Sequence, residues 1–303
     1  MAEIERKFLL TRDEEPAAGL TRVAAGQAER ALEHLRESSA GDATTADAVH
    51  RFRKDMKKQR AVLRLLRDEL GDERYRRANA RFRDAARALS ETRDAEVKLK
   101  TLDSLRGHAV ELPEEAVESW RKILDRDREA ATNAARDQPL VDRTIAEIEA
   151  GLREIHEWGP EGGSWETIGG PVTLTYRRGR KAMRAAAAGG GDLDFHEWRK
   201  RAKDLWYDLR LLRDAWSGPL GATADEAGRL SELLGDHHDL AVLREDLGER
   251  NLGEEETRTL AAAIDLRQEE LAGEAPALGR RLYAERPKGF ARRLRRYWEA
   301  WRG

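Results

Sequence analysis

Residues 50–68 read HRFRKDMKKQRAVLRLLRD. Within them His50, Arg53, Lys57, Arg60, Arg64 and Arg67 recur at steps of three and four, with Lys54 beside them, so a helix over this segment carries a row of cations on one face. Such a row places a cation about every 5 Å over about 25 Å. Guanidinium and ammonium groups at that spacing make charge-assisted hydrogen bonds to phosphate oxygens and suit a linear, densely charged polyanion. The row is poorly neutralised from within: eight basic residues stand between Arg51 and Arg67 against a single acid, Asp55. Like charges at i,i+4 cost about 0.2–0.5 kcal/mol per pair, on the order of 1–2 kcal/mol for the row, and a multivalent anion would offset that cost. An ordinary solvated face would alternate its signs instead. The apolar residues Val49, Phe52, Met56, Leu63, Leu66 and Leu70 fall about 100° round the same helix, so the cations border the buried face and have limited freedom.

The pattern occurs twice. Residues 196–214, shifted by 146, read HEWRKRAKDLWYDLRLLRD, and Leu209 to Asp214 is identical to Leu63 to Asp68. His196, Arg199, Lys203, Arg210 and Arg213 repeat the row, with Lys200 matching Lys54, beside an apolar face of Phe195, Trp198, Ala202, Leu205, Leu209, Leu212 and Trp216. Arg93-Asp94-Ala95-Glu96-Val97 falls opposite His238-Asp239-Leu240-Ala241-Val242 at nearly the same offset, which extends the repeat beyond one helix. Two related helical bundles joined near residue 165 are expected. Packing about a pseudo-two-fold axis would bring both cationic rows to one shared surface.

The elements needed to hold these rows are helices. Ala, Leu, Arg and Glu dominate, and alternating β-branched runs are nearly missing, so the fold class is all-α. Helices are expected at about 16–38, 44–70, 72–106, 113–136, 139–157, 172–188, 193–216, 222–249, 254–284 and 287–301, with strand-like character in Glu3 to Leu10 and Pro171 to Tyr176. The turn formers from Gly159 to Pro171 mark a join. The expected organisation is an N-terminal extension over 1–15 and a helical domain over 16–303, its halves at 16–158 and 171–303 with a linker at 159–170. With 56 Lys and Arg against 58 Asp and Glu, the net charge is only −2, so a basic surface requires segregation, and the acids do collect in Glu111 to Glu118 and Glu245 to Glu256. There is no cysteine, which excludes disulfides, thiolate metal sites and cysteine nucleophiles. The absence of a long apolar run predicts no membrane partner and a cytoplasmic location.

Two polyanions compete for the rows. Trp206, on the second row, could stack on a base of single-stranded nucleic acid. No nucleic-acid-binding signature accompanies it, and arginine forks bind phosphate without reading bases, so inorganic polyphosphate is the sharper candidate.

The doubled H-x-x-R-K-x-x-K motif, Arg93-Asp94 after its first copy, and Leu234-Gly235 to Val242 after its second resemble the CHAD family, the conserved histidine α-helical domain. The run from Gly279 to Lys288 followed by Tyr297-Trp298 is similar to that family's closing helices, and the resemblance spans about residues 16 to 303. It implies two four-helix bundles around a basic central channel that binds long-chain polyphosphate without known catalysis, and no cofactor. Carried over by position, the binding residues are His50, Arg53, Lys54, Lys57 and Arg60 from the first motif and His196, Arg199, Lys200 and Lys203 from the second. Arg64 and Arg210 extend the rows, and Arg22 and Arg180 match a looser motif on the first helix of each half. Trp206 stands where the family usually repeats a basic residue, which implies that the second half binds more weakly or differently. Polyphosphate granules or polyphosphate-metabolising enzymes are the further partners this implies.

Three other patterns carry chemistry. Glu3-Ile4-Glu5-Arg6-Lys7 resembles the opening strand of CYTH-type triphosphate tunnel enzymes, but helical sequence begins within ten residues where a β-barrel would have to follow. Asp236-His237-His238-Asp239 contains the strings of two phosphohydrolase classes, and a metal-dependent phosphohydrolase using His237, His238 and Asp239 is the rival enzyme reading. His50 and His196 have cations at i+3, i+4 and i+7, which repel metal and lower proton affinity until an anion binds, so both are read as phosphate donors. Asp94 and Asp239 are expected to orient neighbouring cations or cap backbone rather than act as a general base, and His34, His108 and His156 to be ordinary surface or helix-end residues.

Overall fold

The computed structural model describes residues 7–40, 45–108, 112–159, 162–250 and 252–303. Helix makes up 87% of the structure, with no strand among the described residues. The helices are α1 (Pro16–Ala40), α2 (Thr45–Leu65), α3 (Arg67–Ala88), α4 (Ser90–His108), α5 (Glu114–Ala134), α6 (Gln138–His156), α7 (Glu166–Ala187), α8 (Asp192–Leu211), α9 (Ser217–Gly248), α10 (Glu254–Leu282) and α11 (Pro287–Arg302), with a short 3-10 turn at Arg213–Trp216 before α9.

Local chemistry sets several boundaries. The first turn of α3 is followed by a kink at Gly71, whose φ of 75° and ψ of 159° favour a residue without a Cβ. The single helix expected over 72–106 divides at Leu89, which is buried in the core with φ −114° and ψ 29°. Asp137 caps α6 by accepting from the Leu140 amide, and Glu256 accepts the Gly253 amide to close the start of α10. Pro287 opens α11, where its missing N–H leaves no helical bond unmade.

Two expectations about local structure are corrected. Pro171 to Tyr176 is helical, because α7 begins at Glu166 and runs through Gly169, Gly170 and Pro171. Glycine is required there by a close approach: a Cβ on Gly169 would lie 2.2 Å from Nε1 of Trp165. At the N-terminus, Glu3 to Arg6 lie outside the described residues, and Lys7 to Leu10 form irregular backbone rather than a strand. That segment is nevertheless fixed: Phe8 and Leu10 are buried, the Leu10 amide donates to the Leu211 carbonyl at 3.0 Å, and Phe8 meets Tyr207 edge-on.

The buried residues form two cores. The larger joins α1, α2, α3, α6, α7, α8 and the first half of α9, and α11 seals it with Phe290, Leu294 and Trp298. The smaller combines Leu99, Leu102 and Leu105 of α4 and Trp120 and Leu124 of α5 with Leu243 and Leu247 of α9 and Leu260 and Ile264 of α10. Helices from both sequence halves therefore share the second core. Its polar seam is Asp246, which accepts from Trp120 Nε1 at 3.0 Å and pairs with Lys98 and Arg250, each at 2.6 Å. These contacts hold α4 and α9 together beside the basic residues of α2 and α8.

Candidate polyanion site

The apolar face of α2 buries Val49, Phe52, Met56 and Leu63, which fixes the rotation of the helix and turns His50, Arg53, Lys54 and Lys57 away from the core. Asp55, the one acid within the row, does not neutralise it. It is buried on the side towards α1, with Arg30 and His34 at 3.4 Å and Lys58 at 2.8 Å. His34 is thus a half-buried partner of Asp55 rather than the ordinary surface residue expected.

The cations of α2 and α8 converge. Lys57 lies open to solvent in a recess among Arg53, Arg93, Arg199 and Lys203, and desolvation there, reinforced by these four charges, lowers its ammonium to about 8. Half-buried Lys203 is also lowered to about 8, by burial first and then by Arg199, Lys54 and Arg210, while Glu232 acts in the opposite sense. Among the described residues no acid is within ion-pair distance of Lys54, Lys57, Arg199 or Lys203. The helices carrying them are clamped by Arg64 of α2, which reaches Asp204 of α8 at 2.9 Å. Arg53 is aimed by two contacts, donating to the Ala86 carbonyl at 3.1 Å and lying 3.6 Å from Asp94. Like charges held together in partial desolvation favour a multivalent anion, which supplies the countercharge the fold omits.

The histidines occupy different surroundings in the two halves. His50 is lowered by burial and by Arg93 and Lys54, with Glu96 opposing. His196 meets His238, Nδ1 to Nδ1 at 3.2 Å, a contact in which one ring must donate and the other must keep its lone pair. Burial, followed by Arg199, His196 and His237, takes His238 down to about 4, and burial with Lys200 and Arg199 lowers His196. The pair is therefore neutral near pH 7. His237 points elsewhere, buried and stacked on Phe195 at 4.5 Å between centroids. Among the described residues no three His, Asp or Glu side chains are placed to hold a metal ion, so His237, His238 and Asp239 do not assemble the metal centre of the rival reading.

The remaining expected residues are positioned as follows. Arg60 donates to Asn79 Oδ1 at 3.0 Å, and Lys200 is paired with Glu197 at 2.6 Å. Trp206 lies between Lys203 and Arg210, 4.3 Å and 4.8 Å from its ring, so it braces two cations of the row rather than interrupting it. Arg22 and Arg180 do not join the row. Arg22 grips Glu14 with two donors and also holds the Leu9 carbonyl, while Arg180 Nε donates to the Tyr283 carbonyl at 3.1 Å; both guanidinium groups fasten the fold. Asp239 and Asp236 are raised by burial, with Arg199 pulling both down. One residue missed by the sequence reasoning belongs with the cluster: Arg93 of α4 acts on His50, Arg53, Lys57 and Asp239 at once. Its place opposite His238 in the repeat was the available signal. Arg93 and Asp239 also line a cavity of about 220 Å³ between α4, α9 and α10.

A family model, the CHAD domain, matches residues 26–248. Two uncharacterised proteins from two strains of Mycobacterium tuberculosis are each 31% identical over 219 residues, 66% of this chain, and the chain spans 40% of their length. Among solved structures, the crystal structure of the CHAD domain from the plant Ricinus communis superposes with a TM-score of 0.69 at 16% identity, covering 93% of this chain and 96% of that one. PptA from Streptomyces chartreusis superposes with a TM-score of 0.64 at 15% identity, covering 90% of this chain and all of that one. No helix among the described residues is long and apolar enough to cross a membrane.

Proposed function

Because the chain belongs to the CHAD-domain family, we propose that it binds long-chain inorganic polyphosphate, without catalysing a reaction, on the basic faces of α2 and α8. The observation that carries this reading is the meeting of Lys57 with Arg53, Arg199 and Lys203, a cluster in which only Arg53 has an acid, Asp94, within ion-pair distance and in which burial, reinforced by the neighbouring cations, lowers both lysines. Arg93 adds a cation from α4, and His50 and the His196–His238 pair are neutral donors able to gain protons as phosphate approaches. The ligand is a chain rather than a single phosphate: one orthophosphate engages one or two cations, whereas a polymer engages the whole row and gains by multivalency. Polyphosphate granules or polyphosphate-metabolising enzymes are the partners such binding would reach in the cytoplasm.

The test is calorimetric titration of wild type and an Arg53→Ala/Lys57→Ala/Arg199→Ala/Lys203→Ala variant with long-chain polyphosphate, triphosphate and single-stranded RNA. The expected result is affinity that grows with polyphosphate length, weakens with salt, and is lost in a variant of unchanged helicity. Equal binding by the variant would remove these faces as the site, and equal affinity for RNA at the same phosphate concentration would make the ligand nucleic acid.

A further inference from the structure

A second set of cations lies outside the site described above, on α7 and α11. Helix α7 carries five basic residues against one acid, Glu166, and α11 carries six against one, Glu299. In α7 the core takes Val172, Tyr176, Gly179, Met183 and Ala186, leaving Arg177, Lys181 and Arg184 along the opposite, exposed edge. In α11 the core takes Phe290, Leu294 and Trp298, leaving Lys288, Arg292 and Arg296 exposed. None of these six cations has an ion-pair or hydrogen-bond partner for its side chain among the described residues. Other exposed cations are matched in some places, as in Arg36 with Glu149, Arg77 with Glu154 and Arg229 with Glu226, and unmatched in others, as at Arg74, Arg126 and Arg143, so what distinguishes the six is their placement on two adjoining helices.

The two helices adjoin lengthwise. Helix α11 runs antiparallel along the first part of α7, since Tyr176 stacks on Phe290 while Trp165 meets Trp298 and Arg295 reaches Glu166. The turn before α11 is tied to α7 where the cations of α7 begin: Tyr176 Oη donates to the Leu282 and Glu285 carbonyls, and Arg180 Nε donates to that of Tyr283. Lys288, Arg292 and Arg296 thus extend over about 12 Å beside one stretch of α7, and Arg177, Lys181 and Arg184 continue for about 10 Å beyond it.

We propose that this α7–α11 surface is a second, weaker polyanion surface that takes another segment of the same phosphate polymer, so that one protein links two polymer segments. This rests on the reading of the α2–α8 faces as the primary site. The chemistry distinguishes the two. Around Lys57 and Lys203 cations from α2, α4 and α8 crowd together, whereas on α7 and α11 they lie in an open line, with no ring stacked on any of the six. Hydrated cations in an open line hold a small anion poorly and release counterions only to a polymer long enough to cover several of them. The bare line lacks the base-stacking platforms of single-strand binders, which favours a ligand made of phosphate alone.

The experiment compares wild type with Arg177→Glu/Lys181→Glu/Arg292→Glu/Arg296→Glu, and with the same four positions changed to alanine, after circular dichroism establishes equal helicity. A short oligophosphate, measured by calorimetry, should bind all three proteins alike, one per chain. With long-chain polyphosphate in excess, light scattering should show particles holding several polymer chains for wild type, and single decorated chains for both variants. Indistinguishable particles for wild type and variants would overturn the second surface while leaving the primary site standing. Failure of long-chain polyphosphate to bind any of the proteins would overturn the primary reading, and this proposal with it. Duplex DNA binding more tightly than polyphosphate at equal phosphate concentration, and lost in both variants, would overturn the assignment to polyphosphate.

Discussion

Lys57 and Lys203 should take up protons when a polyanion docks between α2 and α8. Both are lowered to about 8 by burial and by neighbouring cations, so at pH 8 each is about half charged in the free protein. A polyanion supplies the missing countercharge and drives both back towards the ordinary lysine value, which requires about half a proton from each, or about one per complex at pH 8 and about 0.2 at pH 7. The sign follows from the direction of the shift. Protonated lysine is the form that binds, so affinity is full below pH 8 and falls as pH rises through 8, by up to about tenfold per lysine between pH 7 and pH 9. The assay is calorimetry at pH 8 in buffers of different ionisation enthalpy, where the slope of observed heat against buffer enthalpy counts the protons. A Lys57→Arg/Lys203→Arg variant keeps both charges outside the titrating range and should bind with a slope lower by about one proton. Tight binding by wild type with no proton uptake at pH 8 would refute the argument that these lysines form the charged floor of the site.

Trp206→Ala removes the ring between Lys203 and Arg210, and two cation–π contacts of about 0.5–1 kcal/mol each should weaken polyphosphate and RNA binding alike; a loss confined to RNA, read by competition titration, would instead mark Trp206 as a base-stacking platform. Asp208 is fully buried beside Arg64 and Asp204, and burial raises its carboxyl to about 7, so the fold favours its neutral form. Stability should therefore decline as pH rises from about 4 to 7, and Asp208→Asn should remove that decline and raise the melting temperature at pH 8, with about 4 kcal/mol as the ceiling. Asp246 is the reverse case: hydrogen bonds from Arg250, Lys98 and Trp120 outweigh burial and lower it to about 2, so the stability it contributes is present above the ordinary aspartate value and is lost as pH falls through 2. Asp246→Ala leaves Lys98 and Arg250 without that partner and should cost about 3–5 kcal/mol by chemical denaturation; a change below 1 kcal/mol would show that the α4–α9 seam does not depend on it.

Much of this molecule is legible in its residues because helical periodicity is a local property. The steps of three and four that place His50, Arg53 and Lys57 on one edge, and Phe52 and Met56 on another, survive any tertiary arrangement, and the expected apolar residues are buried except Trp216, which lies past the end of α8 in the 3-10 turn and is 51% exposed. The doubled motif was likewise sufficient to reach the family, because its residue types and spacing recur at 146 positions' distance. The failures came where a contact overrules a propensity. Glycines and a proline argued against helix at 169–171, yet α7 passes through them, and glycine stands at 169 because Trp165 occupies the space that a Cβ would need.

What only the tertiary structure decided is the partner of each charge. A row of residues on one helix has the same pattern whether an acid from another helix faces it or not. Asp55 reads as part of the α2 row until packing against α1 turns it towards Arg30 and His34; Arg22 and Arg180 read as ligands until Glu14 and the Tyr283 carbonyl are seen to hold them. The meeting of His196 with His238, 42 residues apart, and of Lys57 with Arg199 depends on how α2, α8 and α9 are arranged by cores that draw on both halves of the chain. Charge interactions act through space, and spatial neighbours at such separations are set by the packing of whole helices, which is why the sequence determined the cationic faces and the fold determined which of their charges remain free.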